Sequence, residues 1–352
     1  MHLYLALSGH GWGHLSQILP LLAPLERQFG SLTLTIRTAM AEAVLRQRLP
    51  YPFDYLYCDD DIGMVMHDPF RVDLEPSYDH YRALYRQRSQ RLAQERARLQ
   101  RQRPDLVLAD ISPLPLLAAA ELNMPAYALC SLHWGAILAG YPTLKCRLQD
   151  EIAWLNHCYQ QARLFFCPAP SMTMPQLDNC RPVGPIARRG QKRDLTPYIP
   201  ADRRVVMVNF GGIASSPSPT LWPPSVPGLH WLVADTGSSQ RGDRTAVGAL
   251  PYNYIDLVAS CDLMVTKPGY GNFTEALCHG VPVVNSRREE WPESRALEQW
   301  LHQHGHAIDL EREALYGPKF ISAIESLLQR GHCAPLSPTG IDQVCSTIAE
   351  TL

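Results

Sequence analysis

Short apolar runs and amphipathic segments alternate through the first part of the chain. His2–Leu7 is an apolar run that ends in a cluster of glycines, and apolar residues then recur at helical spacing from Leu15 to Leu25. Between Ser31 and Arg37 apolar and polar residues alternate, as they do in a half-buried strand. The pattern predicts a strand, a tight turn, a helix and a second strand.

The alternation of helical and strand patterns continues to residue 130. A long arginine-rich stretch has helical spacing until Pro104, and the apolar run that follows it ends at Asp110. Strands that alternate with helices predict a parallel sheet with right-handed crossovers. The predicted elements are a helix at Thr38–Gln47, a helix at Tyr78–Arg103, a strand at Leu106–Ala109, a helix at Leu114–Leu122 and a strand at Ala126–Cys130.

A second α/β pattern begins after Pro182–Pro200, a segment rich in Pro, Gly, Arg and Lys that we interpret as a linker. The expected fold class is therefore α/β, with two Rossmann-like domains and a ligand cleft between the carboxyl ends of both sheets. Residues that directly follow a strand are the candidates for chemistry. The predicted strands here are Val205–Phe210, Trp231–Ala234, Leu263–Thr266 and Val281–Val284, and the predicted helices are Ile255–Ala259, Phe273–His279 and Glu293–His304.

Length, charge and cysteine content favour a two-domain protein of the cytoplasm and give no support for a nucleic-acid-binding or membrane-spanning protein. The length of 352 residues favours two domains, and a formal net charge of -2 gives no argument for a nucleic-acid partner. The ten cysteines occur singly, several of them in apolar runs, which favours buried reduced thiols and a cytoplasmic location. The amino terminus lacks the basic region of a signal peptide, and no stretch approaches the roughly 18 apolar residues of a membrane span.

A first candidate site lies between the first predicted strand and helix, in the segment Ser8–His14. Gly11 and the neighbouring glycines permit close approach to a ligand, and the N–H groups of a helix start favour an anion; a plain tight turn is the alternative. His14 lies at this helix start, which disfavours the imidazolium and keeps the ring neutral. Asp110 ends another strand and could orient that ring, so that His14 accepts a proton from a hydroxyl. The alternative is that Asp110 caps a helix and that His14 has no catalytic role.

A second candidate site follows the predicted strand at Leu263–Thr266. Its glycines let the backbone approach a ligand closely, and Asn272, Phe273 and Thr274 at the start of the next helix would present their N–H groups to a diphosphate. Glu275 lies one turn into that helix, where a carboxylate can accept hydrogen bonds from both hydroxyls of a ribose. Gly211 and Gly212 end the first strand of this half and would flank the same diphosphate. The other residues assigned to this donor site are Lys267, Gly269, Tyr270, Gly271, Asn272, Phe273 and Thr274.

A charged segment, Arg287–Glu293, also follows a predicted strand and precedes a helix. Arg288 could offset the charge of a diphosphate, and Glu293 could hold sugar hydroxyls. A solvated charged loop is the alternative.

Several segments together match the pattern of a known family. They are Asn209–Gly212, Leu250–Tyr252, Cys261–Gly271, Glu275–Leu277 and Gly280–Pro282 in the second half, with Gly9–His14, Asp61–Gly63 and Arg71–Asp73 in the first. In these segments the chain resembles the GT-B glycosyltransferases, near family 28 and the UDP-glycosyltransferases. It is similar in particular to the glycosyltransferase-like module at the amino end of plant L-arabinokinases and to the stand-alone bacterial relatives of that module. A kinase follows the module in those plant proteins, whereas this chain ends at Leu352.

The resemblance implies a GT-B fold and an inverting, metal-independent transfer of a sugar from a nucleotide diphospho-sugar. The expected donor is a UDP-sugar, used as a co-substrate, with no other cofactor. The implied domains are an acceptor domain at 1–185 and a donor domain at 186–335. The remaining segment, 336–352, would contain a helix that crosses back to the first domain.

The resemblance also implies roles for individual residues. His14 would be the general base and Asp110 its orienting carboxylate. Gly211, Gly212 and residues 271–274 would hold the diphosphate and Glu275 the ribose, while Leu250 and Tyr252 would contact the base through their backbone. Glu293 falls where the family places a residue that contacts the sugar. Two features depart from the family: Lys267 stands where many UDP-glycosyltransferases have a histidine, and Trp291-Pro292-Glu293 replaces an Asp-Gln pair.

The acceptor is expected on the first domain, near Asp61, His133 and Trp134. An aromatic ring beside polar groups can stack on a sugar, although a core position for Trp134 is the alternative. The acidic run Asp59–Asp61 lacks the ligand spacing of a metal site, so no metal is expected. The arginines of Arg82–Arg103 favour a solvated helix face over the alternative of contact with an anionic membrane. The sequence does not indicate the oligomeric state or the acceptor.

Two other functions use the same site. A GT-B nucleotide-sugar epimerase would need no acceptor, and a non-catalytic nucleotide-sugar-binding or sensor protein would need no base. The pairing of His14 with Asp110 favours catalysis, because binding alone needs neither residue.

Overall fold

The computed structural model describes residues 1–61, 63–68, 70–211, 223–234 and 241–352. Its named strands form two separate sheets, and the pairings within each sheet are parallel. This arrangement confirms the predicted α/β class with two Rossmann-like domains.

The first sheet has seven strands in the order β3-β2-β1-β4-β5-β6-β7. Its central strands are buried on both faces, as expected for a parallel sheet covered by helices. The strands are β1 (His2–Leu7), β2 (Thr33–Thr38), β3 (Phe53–Tyr57), β4 (Leu106–Asp110), β5 (Ala126–Leu129), β6 (Phe165–Pro168) and β7 (Cys180–Val183). The helices are α1 (Trp12–Phe29), α2 (Glu42–Arg48), α3 (Leu74–Arg86), α4 (Arg88–Gln102), α5 (Pro113–Glu121), α6 (Trp134–Ala139), α7 (Pro142–Arg147) and α8 (Gln149–Gln160).

The second sheet has six strands in the order β10-β9-β8-β11-β12-β13. The strands are β8 (Arg204–Asn209), β9 (Leu229–Val233), β10 (Arg244–Ala246), β11 (Leu263–Thr266), β12 (Val283–Ser286) and β13 (Ala307–Leu310). The helices are α9 (Tyr254–Ser260), α10 (Tyr270–Cys278), α11 (Ser294–His304), α12 (Pro318–Arg330) and α13 (Gly340–Thr351). The two sheets thus occupy residues 2–183 and 204–310, while the domain limits at 185 and 335 stay a prediction.

The last helix, α13, packs against the first domain, as the resemblance implied. Val344 and Ile348 join the apolar core that contains Leu22 of α1. At the start of the helix the Gln343 side chain accepts a hydrogen bond from the Gly184 amide at 2.6 Å. The helix therefore fastens the carboxyl end of the chain to the domain that contains the amino end.

The predicted helix at Tyr78–Arg103 was wrong as a single element, because it divides at Gln87 into α3 and α4. The Arg88 guanidinium lies over the Tyr85 ring and donates to the Tyr85 carbonyl at 2.8 Å, which satisfies a carbonyl at the end of α3. The predicted helix at Thr38–Gln47 begins later, at Glu42, because Thr38 belongs to β2. The first two residues of the predicted linker, Pro182 and Val183, belong instead to β7, which pairs with β6.

The order of the strands predicts one crevice in each sheet. In the first sheet the direction of strand addition reverses between β1 and β4, and in the second between β8 and β11. Ligands of open α/β sheets bind at such points, beyond the carboxyl ends of the strands. Among the described residues, no helix combines the length and the apolar character needed to cross a bilayer.

Candidate active site

His14 and Asp110 meet at the first crevice, as predicted from their positions after β1 and at the end of β4. His14 Nδ1 lies 2.8 Å from Asp110 Oδ1, and both side chains are buried. The backbone fixes this geometry, because Leu7 of β1 pairs with Asp110 and the Ser8 amide donates to the Asp110 carbonyl at 2.6 Å. A carboxylate on Nδ1 selects the tautomer in which Nε2 accepts a proton.

The prediction that its position at the helix start disfavours the imidazolium of His14 was wrong. Burial lowers the pKa of His14, but the nearby carboxylates of Asp110, Asp61 and Glu293 outweigh it and raise the pKa above the usual value. Coulombic attraction between an imidazolium and three carboxylates is stronger than repulsion by a helix end. The ring is therefore a stronger base than an ordinary histidine.

The carboxylate of Asp61 accepts three hydrogen bonds from described residues elsewhere in the first domain. Its Oδ1 accepts from Ser8 Oγ at 3.1 Å and from Trp134 Nε1 at 2.8 Å, and its Oδ2 accepts from Ser112 Oγ at 2.7 Å. The carboxylate is 4% exposed. These contacts tie together the ends of β1, β3 and β4 with α6, which argues for a positioning role in place of the predicted contact with an acceptor.

The other two predicted acceptor residues differ in their surroundings. His133 is the N-cap of α6: its Nδ1 accepts from the Ala136 amide at 3.2 Å, and burial lowers its pKa to about 4. This neutral capping histidine lies in the interior, so the structure gives it no place on an acceptor. Trp134 is also buried, but its ring centroid lies 5.7 Å from that of His14 and 5.2 Å from that of His10. Its ring therefore packs beside both imidazole rings.

The segment Arg287–Glu293 crosses from the second domain to the first and is not the solvated loop of the alternative interpretation. Trp291 belongs to the apolar core of the first domain, and its ring stacks on His10 with centroids 5.5 Å apart. Arg288 donates from Nε to the Phe70 carbonyl at 3.1 Å, and burial lowers its pKa to about 10. Glu293 accepts from Ser131 Oγ at 2.6 Å and from Trp291 Nε1 at 3.0 Å. The loop therefore closes one side of the cleft.

The start of α10 lies at the second crevice. Helix α10 begins at Tyr270, with Gly269 as its N-cap, and the Phe273 amide donates to the Gly269 carbonyl at 3.1 Å. The amides without a partner in the helix are thus those up to Asn272, and the prediction that Phe273 and Thr274 present theirs was wrong. The helix begins one turn earlier because Gly269 can take the cap position.

Helix α10 also approaches α1 across the cleft, at Gly271. A Cβ atom added to Gly271 would lie 2.6 Å from Ser16 Oγ of α1. Gly271 therefore lets the two domains approach each other, in addition to the predicted approach to a ligand.

Lys267 and Gly211 adjoin the start of α10. Gly211 has φ of +87° and would place a Cβ atom 3.9 Å from Lys267 Nζ, and its amide donates to Asn209 Oδ1 at 3.0 Å. Burial, together with the positive charge of Arg288, lowers the pKa of Lys267 to about 7. Asn272 Nδ2 donates to Thr266 Oγ1 at 2.7 Å and holds this edge in place. Gly212 lies outside the described residues.

Three residues of α10 use their side chains within the protein. The Tyr270 hydroxyl accepts from the Ile186 amide at 2.9 Å, the Phe273 ring is fully buried in the core, and Thr274 Oγ1 donates to the Tyr270 carbonyl at 2.9 Å. Their predicted assignment to the donor site thus fails for the side chains. At the start of the helix, the backbone amides remain available to a ligand.

Glu275 carries an ion pair that the sequence did not indicate. Its Oε1 lies 2.9 Å from both Nε and Nη2 of Arg188, which belongs to the linker. Burial raises the pKa of Glu275, while Arg188 and Arg48 oppose this shift. A ribose at Glu275 would have to share the carboxylate with Arg188.

The predicted base-binding segment follows β10 and precedes α9. Leu250 is buried in the core of the second domain, and the Tyr252 hydroxyl donates to the Asp194 carbonyl at 3.2 Å. Their backbone contacts with a base stay a prediction. On the opposite side of the cleft, Gly11 is the N-cap of α1, and a Cβ atom added there would meet nothing within 4 Å.

Four contributors to the site were missed: His10, Ser131, Trp291 and Arg188. Ser131 and His10 closely follow the ends of strands, so the rule that selected Asp110 could also have selected them. The rule did select the segment that contains Trp291, but nothing in the sequence indicated that its ring enters the first domain. Arg188 gave no signal, because it acts on a residue distant in the sequence.

Comparison with known proteins gives a sequence relative and several structural neighbours. No protein-family model matches the chain. L-arabinokinase from Arabidopsis thaliana is 27% identical over 298 residues, an alignment that covers 78% of this chain and 27% of the relative. The chain thus spans about a quarter of the length of that relative.

The structural neighbours cover almost the whole chain. CalG4, the calicheamicin glycosyltransferase, has a TM-score of 0.62 at 17% identity over 99% of this chain and 97% of its own. The UDP-GlcNAc 2-epimerase of Methanocaldococcus jannaschii has a TM-score of 0.53 at 13% identity over 99% of this chain and 100% of its own. With its two facing parallel sheets and its crossing last helix, the chain has the GT-B fold of the glycosyltransferases.

Proposed function

We propose that this protein is a glycosyltransferase that moves a sugar from a nucleotide diphospho-sugar to the hydroxyl of an acceptor, with inversion at the anomeric carbon. A UDP-sugar is the first candidate for the donor. The observation that carries the proposal is the 2.8 Å contact between His14 Nδ1 and Asp110 Oδ1 at the cleft edge of the first sheet.

In the proposed reaction His14 is the general base. Asp110 holds the proton on Nδ1, so Nε2 takes the proton of the acceptor hydroxyl while the acceptor oxygen attacks the anomeric carbon. The bond from that carbon to the diphosphate oxygen breaks, and the diphosphate leaves with the electron pair. Asp110, Asp61 and Glu293 favour the imidazolium formed in this step.

The second domain would stabilise the departing diphosphate. The amides at the start of α10, beside Gly211, can donate to its oxygens, and Lys267 and Arg288 bring positive charge to the same edge. Donors fixed before the reaction cost no reorganisation when the charge develops, so this arrangement would lower the barrier without a metal ion.

The remaining assignments extend this proposal. Glu275 would bind the ribose beside Arg188, and Leu250 with Tyr252 would contact the base. Glu293 would contact the sugar through the remaining acceptor capacity of its oxygens, each of which already accepts one hydrogen bond within the protein. All ten cysteines are free, which supports a reducing compartment such as the cytoplasm.

The first test is thermal unfolding of the protein with UDP, TDP, GDP, ADP or NAD. A ligand at about 100 times its Kd adds roughly 2.7 kcal/mol, and a domain of this size gains about 2–4 °C per kcal/mol. We expect one nucleoside diphosphate to stabilise the protein. A response to NAD alone, or to none of the five, would refute a nucleotide-sugar site.

The second test separates an enzyme from a binding protein. His14→Ala should reduce turnover about 10²–10⁴-fold while the affinity for the diphosphate changes little. Equal turnover in the variant would exclude His14 as the base. If the donor sugar is epimerised without any acceptor, the protein is a GT-B epimerase, the activity named for one structural neighbour.

A further inference from the structure

The inner side of the catalytic pair carries a third potential ligand, the thiol of Cys130. Cys130 follows β5, is fully buried, and places Sγ 3.8 Å from His14 Nδ1. One ligand atom from each of His14, Asp110 and Cys130 can be chosen so that all three lie within 4.8 Å of one another. Three different metal-binding groups thus converge from α1, β4 and the end of β5.

We propose that His14, Asp110 and Cys130 bind Zn²⁺ or a similar transition-metal ion, and that the bound ion inhibits the protein. Imidazole nitrogen, thiolate sulfur and carboxylate oxygen are the ligands that Zn²⁺ uses, at about 2.0–2.3 Å. Two such ligands on one tetrahedral ion lie roughly 3.3–3.8 Å apart. The Nδ1–Sγ separation of 3.8 Å already has this value.

The surroundings also suit a metal. Asp110 Oδ2 is buried, and it has no hydrogen-bond partner among the described residues, so it can serve as a ligand. Gln17 Nε2 donates to Cys130 Sγ at 3.6 Å, and Gln17 Oε1 accepts from the Ser131 amide at 3.1 Å. Such outer contacts orient a ligating sulfur. Three protein ligands leave a fourth position for water.

Binding would exchange protons in a defined way. The Cys130 thiol loses its proton to solvent, and the imidazole loses the proton on Nδ1 and gains one on Nε2. A ring with its proton on Nε2 cannot accept another from a hydroxyl. The inhibitory part of this inference rests on the proposed function, whereas metal binding itself does not.

The test is a titration of the metal-free protein with Co²⁺, followed by displacement with Zn²⁺. Co²⁺ in a tetrahedral site with a thiolate ligand gives a charge-transfer band in the near ultraviolet, which requires no substrate. We expect this band in the native protein and in Cys146→Ser, which removes an exposed thiol as a matched control. In Cys130→Ser the band should vanish and the affinity should fall at least tenfold. Mg²⁺, which prefers oxygen ligands, should not compete.

Each outcome decides the inference. The absence of a thiolate band in the native protein, or an unchanged band in Cys130→Ser, would overturn it. If Cys130→Ser fails to fold, Co²⁺ binding is measured in His14→Gln instead. Loss of the nitrogen ligand should weaken binding at least tenfold, and unchanged binding would overturn the proposal. Where transfer activity is measurable, Zn²⁺ should inhibit the native protein reversibly and spare Cys130→Ser; equal inhibition of both would place the inhibitory site elsewhere.

Discussion

Ser131 Oγ of the first domain lies 2.6 Å from Glu293 Oε1 of the second, and this hydrogen bond joins the two domains at the edge of the cleft. Both side chains are buried. The charged loop of the second domain is therefore held by the same residue whose amide contacts Gln17 of α1.

Ser131→Ala should destabilise the protein by about 1–3 kcal/mol, because it leaves a buried carboxylate oxygen without its donor. Thermal unfolding would measure the loss. Ser337→Ala, at an exposed serine, is the matched control and should change the melting temperature little. A Ser131 variant as stable as its control would show that the contact does not hold the domains together.

The pH dependence of transfer should report the raised pKa of His14. The proposed base acts when neutral, so kcat/KM should rise with pH through a pKa above the usual value of about 6.5. Asp61→Asn removes a negative charge that favours the imidazolium, and the rise should then move to lower pH. Ser112→Ala also removes a hydrogen bond of Asp61 but no charge, so its profile should stay in place. Identical profiles for Asp61→Asn and the native protein would contradict this electrostatic account.

Binding of a nucleoside diphosphate should take up a proton through Lys267. The free protein loses this proton as the pH rises through about 7, and a bound anion stabilises the ammonium and raises that pKa. The affinity should therefore fall as the pH rises above 7. Calorimetry at pH 8 in two buffers of different ionisation enthalpy would measure the uptake.

Two variants test whether Lys267 is the group that takes up the proton. Lys267→Met should abolish the uptake and weaken binding, while Lys319→Met, at an exposed lysine of the same half, should preserve both. Uptake that persists in Lys267→Met would assign the proton to another group.

Gly63 should tolerate no side chain. It has φ of +67°, and an added Cβ atom would lie 2.6 Å from Trp134 Cη2 and 2.7 Å from His10. Gly30 has φ of +82° with nothing within 4 Å of such an atom, so Gly30→Ala carries the backbone strain without the overlap. We expect Gly63→Ala to be less stable than Gly30→Ala by about 1–3 kcal/mol in chemical unfolding. Equal losses would mean that the two aromatic rings move aside freely.

The sequence allowed good prediction where one local pattern decides the structure. Strand β11 begins and ends at the predicted residues because its apolar run is continuous and buried on both faces. His14 and Asp110 could be paired because the carboxyl ends of parallel strands meet at one edge. Both inferences need only neighbours in the sequence and the rules of parallel sheets.

Contacts between polar residues that lie far apart in the chain could not be predicted from the sequence. No local signal pairs Arg188 with Glu275, or Ser131 with Glu293. Edge strands such as β7 (Cys180–Val183) were also missed, because a short, partly exposed strand lacks a clear apolar pattern. The start of α10 was misplaced because its cap is Gly269 and not one of the usual polar capping residues.

The insertion of Trp291 into the core of the first domain has a consequence for protein engineering. The segment Arg287–Glu293 belongs to the second half of the chain, yet it forms hydrogen bonds with Ser131 and Phe70 of the first half. A chimera that takes its second domain from a relative would therefore place a different segment against Ser131 and Phe70, and the contacts between the domains would not match. Grafts that carry the native segment, or that exchange Ser131 and Phe70 along with it, are the ones we expect to yield folded hybrids.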